Sequence, residues 1–278
     1  MVTARASRIS KFGSFVGFLG VMAAACGPNG GSRPARVALA EELKPVGLKN
    51  CELKRYGSAN DGGYLMCANL LKGVEALYSY GIDREDNWGC QLSKEFQLPV
   101  HQYDCFTPER PKCDGGKFVY HDECVGNKTE SKPGGGGGPK PFDTIANQLK
   151  KNGDGEKKHL VVKIDVEGAE WESLTATSDD VFDRIDTLVG EFHGVGEQRF
   201  VDVIKRLKTK FWMVSVHFNN YSCSKNFEPL PARAYQILWI NKRIGEMDPS
   251  VKPHVAGEPP DTPDAPQGEI DCQTIASK

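Results

Sequence analysis

Two hydrophobic periods alternate along most of the chain, and each change of period marks the boundary of an element. Short apolar runs bounded by polar or glycine-containing turns predict buried strands, and apolar residues spaced three or four apart predict helices. The predicted strands are 75–80, 99–103, 117–120, 160–164, 185–192, 211–218 and 234–241, and the predicted helices are 87–97, 142–151, 168–176 and 197–208. This alternation predicts an α/β domain with a mostly parallel sheet covered on both faces.

The flanks and interruptions of this pattern predict the domain organisation. The last two strands have no helix between them, which predicts a C-terminal antiparallel hairpin. Residues 130–141 contain five consecutive glycines between prolines, which predicts a flexible loop inside the domain 46–245. Residues 26–45 are interpreted as a linker, and the proline-rich residues 246–278 as an extended tail that Cys272 could pin back to the domain.

The N-terminal residues resemble a targeting segment. Three basic residues precede an uncharged stretch, 12–25, which ends in three alanines before Cys26. This layout is typical of a secretory signal in residues 1–25, and the stretch is short for a membrane-spanning helix. The surrounding residues also resemble a loose bacterial lipobox, which would place a lipid on Cys26. An uncleaved signal anchor is the alternative, and in either case the membrane is contacted only through this segment or the lipid.

Cysteine usage and charge narrow the class of protein. Eight cysteines follow Cys26, and an even number in an exported chain predicts disulfides and an extracytoplasmic location. A cytosolic protein with buried free thiols is the alternative. Their spacing does not match that of structural zinc sites. The net charge of −2 and the lack of a basic stripe argue against a nucleic-acid partner.

Polar residues follow the predicted strands at their carboxyl ends, where open α/β sheets bind ligands. The most informative run is 160–171, in which an apolar strand ends in acidic residues before a helix. Each residue also has a structural explanation, such as a turn cap at Asp104 or a first-turn helix charge at Glu170. The strand-end residues are Tyr80, Gly81, Ile82, Asp83, Asp104, Asp165, Glu167, Glu191, His193, His217, Asn219 and Asn220. Their convergence on one edge predicts a functional cleft.

The acidic character of these strand ends constrains the ligand. The loop after the first sheet strand, 81–86, has one glycine and lacks the Gly-x-Gly-x-x-Gly pattern, which disfavours NAD. Asp104 after the second strand suits hydrogen bonding to ribose hydroxyls, and a glycine turn without pyrophosphate suits a nucleoside carrying a sulfonium cation. These features favour S-adenosylmethionine.

Four segments together resemble a known family. They are RYGSANDGGY at 55–64, YSYGI at 78–82, VHQYD at 100–104 and KIDVEGAEW at 163–171. They resemble the FkbM-type and methyltransferase-like domains of the class I S-adenosylmethionine-dependent family, over about residues 50–242. The resemblance implies a Rossmann-like, doubly wound, seven-stranded sheet and methyl transfer, typically to oxygen.

The resemblance also implies roles for individual residues. Gly81 and its neighbours Tyr80, Ile82 and Asp83 would line the methionine portion of the cofactor. Asp104 would bind the ribose, and Asp165 would face the sulfonium and the acceptor. The first-strand loop departs from the family because it lacks Gly-x-Gly.

Removal of the acceptor proton needs a general base, for which His193, Asp165 and Glu167 are candidates. The simpler hypothesis involves no metal. If a divalent cation is bound, Asp165, Glu167, Glu191 and His193 are the candidate ligands.

Two other classes of function remain open. The acidic turn at 165–167 could serve a metal-dependent glycosyltransferase that binds a nucleotide sugar. An exported, non-catalytic binding module with the same fold is the other, because S-adenosylmethionine is made in the cytosol. The acceptor, whether a small molecule or a glycan, is not specified by the sequence.

Overall fold

The computed structural model describes residues 30–134, 138–265 and 272. The predicted signal segment 1–25 and the candidate lipid site Cys26 lie outside the described residues. Among the helices that are described, none is long and apolar enough to cross a membrane.

Strands and helices alternate through most of the described chain. The strands are β1 (Leu53–Gly57), β2 (Gly63–Cys67), β3 (Ala76–Tyr80), β4 (Pro99–Tyr103), β5 (Lys117–His121), β6 (Cys124–Val125), β7 (Glu130–Gly134), β8 (Gly138–Asp143), β9 (Leu160–Ile164), β10 (Ile185–His193), β11 (Phe211–Phe218) and β12 (Ala234–Asn241). The helices are α1 (Arg33–Glu42), α2 (Asn87–Phe96), α3 (Ile145–Lys151), α4 (Glu170–Ala176), α5 (Asp179–Arg184) and α6 (Gln198–Lys210).

The main sheet has seven strands in the order β11-β12-β10-β9-β3-β4-β5. Neighbouring strands from β5 to β10 are parallel, whereas β12 is antiparallel to both β10 and β11. The prediction of an α/β domain with a mostly parallel sheet is therefore confirmed. From β3 the chain continues outward to β4 and β5, and then returns to the other side of β3 at β9. Strand order thus reverses between β3 and β9, where open α/β sheets bind ligands beyond the strand ends.

The central strands are buried on both faces, which explains why their sequences are apolar runs rather than alternating patterns. All five residues of β3 and of β9 are buried. Successive residues point to opposite faces, so that Val162 belongs to the core cluster that includes residues of α3, α4, α5 and α6, and Val161 to the one that includes residues of α2, β1 and β2. The sheet is covered on both sides, and its carboxyl edge is the surface left for a site.

Three regions differ from the sequence-based predictions. Helix α1 lies within the predicted linker 26–45, because Ser32 caps it and Leu39 and Leu43 are buried in the core. Strands β7 and β8 pair antiparallel within the predicted glycine-rich loop, where pairing satisfies their backbone groups. The final two strands do pair antiparallel, but residues 219–233 separate them and β12 lies between β11 and β10.

Disulfides join all eight cysteines beyond Cys26. The pairs are Cys51–Cys67, Cys90–Cys113, Cys105–Cys124 and Cys223–Cys272. Four disulfides are typical of an oxidising, extracytoplasmic environment. The last pair links the C-terminal tail to the connection between β11 and β12, and thereby holds the tail near the carboxyl edge of the sheet.

Candidate functional site

Four carboxylates and one imidazole meet where β9 and β10 end. We call this group the acidic cluster, which consists of Asp165, Glu167, Glu170, Glu191 and His193. His193 Nδ1 lies 2.8 Å from Glu170 Oε1, and His193 Nε2 lies 3.5 Å from both Glu167 Oε2 and Glu191 Oε1. The predicted convergence of the β9 and β10 strand ends therefore brings together Glu167, Glu191 and His193, with Glu170 as an additional member.

The turn between β9 and α4 sets the geometry of the cluster. Glu167 has φ +54° and Gly168 has φ +105°, so two successive residues adopt left-handed backbone conformations. Glycine adopts such a conformation without steric cost, whereas a glutamate does so only when its surroundings enforce it. The turn ends β9 abruptly, and α4 begins at Glu170, whose side chain reaches back to accept a hydrogen bond from the backbone N–H of Val166.

Burial separates Glu170 and Glu191 from the other carboxylates of the acidic cluster. The Glu170 side chain is fully buried and that of Glu191 is 6% exposed, whereas Glu167 is 78% exposed. Glu170 Oε1 contacts His193 and the Val166 N–H, but Glu170 Oε2 has no hydrogen-bond partner. A buried carboxylate oxygen without a partner carries a large desolvation cost. The sequence-based interpretation of Glu170 as a first-turn helix charge does not account for this position.

Interactions within the acidic cluster raise the pKa values of two of its members, His193 and Glu191. Burial by itself lowers the pKa of His193, but the hydrogen bond and charge of Glu170 outweigh burial and raise that pKa to about 10. Burial and the charge of Asp165 raise the pKa of Glu191 to about 8. His193 is therefore a hydrogen-bond donor at neutral pH in this arrangement, which disfavours the base role predicted for it.

Asp165 connects the acidic cluster to the opposite side of the strand reversal. Its Oδ2 accepts a hydrogen bond from the Tyr64 hydroxyl at 2.8 Å and lies 3.5 Å from Lys163 Nζ. Burial raises the pKa of Tyr64 well above its ordinary value, so the hydroxyl remains a donor. Lys163 in turn donates to the Gly81 carbonyl at 2.7 Å. These interactions fix the Asp165 carboxylate between β9 and β3.

Gly81 allows the two strand-end loops to approach each other closely. It has φ +81°, and a Cβ at this position would lie 1.5 Å from the Asp165 carbonyl oxygen. No side chain larger than hydrogen fits, so the glycine is required for packing as well as for the turn. The contact places the loop after β3 directly beside the acidic cluster.

Asp104, the predicted ribose ligand, is already engaged by the backbone. Its Oδ2 accepts from Ile82 N–H at 3.0 Å, and its Oδ1 accepts from the N–H groups of Phe106 and Thr107 at 2.7 and 3.0 Å. The turn-capping explanation for this residue therefore describes its contacts in the structure. In the loop after β3, Asp83 is exposed and Ile82 is buried.

Sequence reasoning missed several residues of the site. The sequence pattern indicates no separate role for Tyr64 in the segment 55–64 or for Lys163 in the predicted strand 160–164. Asn219, a predicted strand-end residue, does join the site, since it donates to Glu191 Oε1 at 2.9 Å. His217 was predicted at the same edge, but it pairs with Asp261 and Asp264 of the tail instead of joining the acidic cluster.

Comparison of the chain with models of protein families, with curated proteins and with solved structures gives no match. Function is therefore inferred from the geometry of the strand ends and from the chemistry of the side chains that meet there.

Proposed function

We propose that this protein is an S-adenosylmethionine-dependent methyltransferase that acts on an oxygen acceptor. The observation that carries the proposal is the reversal of strand order between β3 and β9, with Gly81 at one strand end and the acidic cluster at the other. A seven-stranded Rossmann-like sheet is what the family resemblance implies, and its ligand crevice belongs at this reversal.

The chemistry of the donor groups supports a cationic cofactor. Asp165 lies beside the strand reversal with its side chain 25% exposed, and a carboxylate attracts a sulfonium while repelling a pyrophosphate. When bound, S-adenosylmethionine supplies an electrophilic methyl group. Gly81 and the exposed Asp83 would hold its methionine portion, whereas Tyr80 and Ile82, whose side chains are buried, would offer only backbone groups.

Asp104 would hold the ribose only by exchanging a contact that it already makes. Its Oδ1 accepts two backbone hydrogen bonds, and its Oδ2 accepts one from Ile82. A ribose hydroxyl would replace or share the Ile82 N–H bond, an exchange that costs about 1 kcal/mol. We therefore expect weaker cofactor binding than an uncommitted carboxylate would give.

The residues of the chain act mainly by orienting the acceptor. Its oxygen attacks the methyl carbon, the carbon–sulfur bond breaks, and the sulfur departs as a neutral thioether. The proton of the acceptor hydroxyl passes to a carboxylate of the acidic cluster. Positioning in line with the breaking bond accounts for much of the rate in such a displacement.

The experiment is calorimetric titration of the folded protein with S-adenosylhomocysteine and S-adenosylmethionine. We expect one site per chain, and at least a tenfold loss of affinity in Asp104→Asn. Asp114→Asn serves as the matched control, because Asp114 is exposed on the loop before β5. Circular dichroism of both variants separates loss of binding from loss of structure.

Absence of binding by the folded protein would overturn the proposal. Binding of a nucleoside diphosphate with Mn²⁺ in its place would favour glycosyl transfer. Absence of both would favour a non-catalytic binding module.

A further inference from the structure

We propose that Asp165, Glu170 and His193 form a binding site for one divalent cation. Each of the three side chains offers one ligand atom, and these atoms all lie within 4.8 Å of one another. Separations of this size are compatible with one ion bound at about 2.1–2.4 Å from each atom.

The unpartnered oxygen of Glu170 is the independent observation that points to a ligand. Glu170 is fully buried, and its Oε2 accepts no hydrogen bond although Oε1 accepts two. Buried carboxylates are ordinarily paired or coordinate metals, because an unpaired oxygen there is unfavourable. A cation between the three side chains would provide the missing partner.

The charges around the site favour a divalent ion. Carboxyl groups of Asp165, Glu167, Glu170 and Glu191 surround the ammonium of Lys163 and the imidazole of His193. Lys163 is 3.5 Å from Asp165 and donates to a backbone carbonyl, so it neutralises Asp165 only in part. A bound ion would displace the proton of His193, because only a neutral imidazole ligates a metal, and its charge would balance the carboxylates of Asp165 and Glu170.

The donor set narrows the class of ion. The two carboxylates are hard oxygen ligands that suit Mn²⁺ or Mg²⁺, and the single imidazole is a borderline nitrogen ligand that also suits Zn²⁺. Soft thiolate ligands are absent from the described acidic cluster. Three protein ligands leave about three positions of an octahedral ion open. Adjacent oxygens of an acceptor would fill such positions, and this assignment of a diol-like acceptor rests on the proposed function.

The experiment uses the full chain, freed of metal by a chelator and dialysed, and measures Mn²⁺ binding by calorimetry and by electron paramagnetic resonance of the free ion. We expect one site per chain and at least a tenfold loss of Mn²⁺ affinity in Glu170→Gln. Glu172→Gln is the matched control on the same helix, because Glu172 is 44% exposed and lies 3.7 Å from Arg199.

If Glu170→Gln fails to fold, Asp165→Asn tests the cation site in its place, because Asp165 is partly exposed. Equal Mn²⁺ affinity in the wild type and in the folded ligand variants would overturn the cation site, as would failure of the folded wild type to bind Mn²⁺. Titration of S-adenosylhomocysteine in the presence of chelator tests the cofactor separately, so failure of the cation site is distinguishable from failure of the proposed function.

Discussion

Two histidines at the same edge of the sheet, His193 and His217, both lie among carboxylates but differ in how fully those carboxylates are paired. His193 is the last residue of β10 and His217 belongs to β11, and each contacts carboxylates through both ring nitrogens. Asp261 and Asp264 lie 2.7 and 3.2 Å from the His217 nitrogens, and both come from the C-terminal tail. His193 instead contacts residues of the sheet and of α4.

The two clusters differ in what neutralises their acids. At His217, Arg55 pairs with Asp261 at 3.2 Å and Gln236 donates to Asp264 Oδ1 at 3.0 Å. Asp264 Oδ2 makes no hydrogen bond, but it lies 3.2 Å from His217 Nε2, so every oxygen of the two tail carboxylates has a nitrogen within 3.2 Å. At His193, Glu170 Oε2 is also buried without a hydrogen bond, and the His193 nitrogen lies against Oε1 instead. The number of acidic residues around a histidine therefore does not identify a site, because what differs is whether each carboxylate oxygen has a nitrogen beside it.

The first prediction distinguishes the two histidines by their effect on Mn²⁺ binding. His217→Ala removes a cation from two buried tail carboxylates, of which Asp261 keeps Arg55, and breaking a buried ion pair costs about 3–5 kcal/mol. His193→Ala should cost a comparable amount, because it removes the charged partner of the buried Glu170, and it should also abolish Mn²⁺ binding, which His217→Ala leaves unchanged. Urea denaturation followed by tryptophan fluorescence measures stability, and calorimetric titration measures Mn²⁺ binding. Loss of Mn²⁺ binding in folded His217→Ala would contradict the distinction.

The second prediction concerns the attachment of the tail. Replacing both Cys223 and Cys272 by serine removes a cross-link across 49 residues, which should lower the free energy of unfolding by up to about 4 kcal/mol. The same change should leave Mn²⁺ affinity unaltered, since the three proposed ligands precede the tail. Denaturation and titration of one preparation test both statements. A loss of Mn²⁺ binding would show that the two clusters are coupled.

The third prediction concerns how the stability contributed by His217 depends on pH. Burial by itself lowers the pKa of His217, but hydrogen bonds and charges from Asp261 and Asp264 raise it from 6.5 to about 9. Arg55 also faces these aspartates. The stabilisation is therefore fully present below about pH 6.5 and is lost as pH rises through about 9, with a magnitude on the order of 3 kcal/mol. His217→Gln should flatten this dependence in denaturation at several pH values. An unchanged slope would refute the assignment.

The fourth prediction, with the smallest effect, concerns the hydrogen bond from the Tyr64 hydroxyl to Asp165. Tyr64→Phe removes a buried hydroxyl that donates to a carboxylate, and should reduce stability by about 1.5 kcal/mol. Tyr221→Phe is the control, since Tyr221 is 58% exposed. Thermal unfolding measures both variants. A similar shift in the two would mean that the hydrogen bond to Asp165 contributes nothing specific.

The main sheet was predictable because its strands are buried apolar runs. Strands β4, β9, β11 and β12 begin and end at the residues predicted from the hydrophobic pattern. Helix α1 was missed because its apolar face is small and its burial depends on packing with distant parts of the chain. Strands β7 and β8 were missed because glycine and proline dominate their sequence, while their pairing with each other and with β6 is non-local.

The candidate site was only partly predictable for a related reason. Placing Asp165, Glu167, Glu191 and His193 at one edge required only that parallel strands end on the same side. The importance of Glu170 was not visible, because an acidic residue in the first turn of a helix ordinarily faces solvent. Its burial depends on the left-handed turn at Glu167 and Gly168, which directs α4 over the end of β9.

The alternation of strands and helices, the acidic strand ends and the even set of cysteines follow from the sequence alone, because period, turn chemistry and composition are local properties. Which acids are neutralised depends on the folded chain. The tail returns to pair with His217, Asp104 is occupied by backbone N–H groups, and Glu170 is left with an unpaired oxygen. Such outcomes depend on contacts between residues far apart in the chain, and hydrogen-bond satisfaction is a property of the assembled fold.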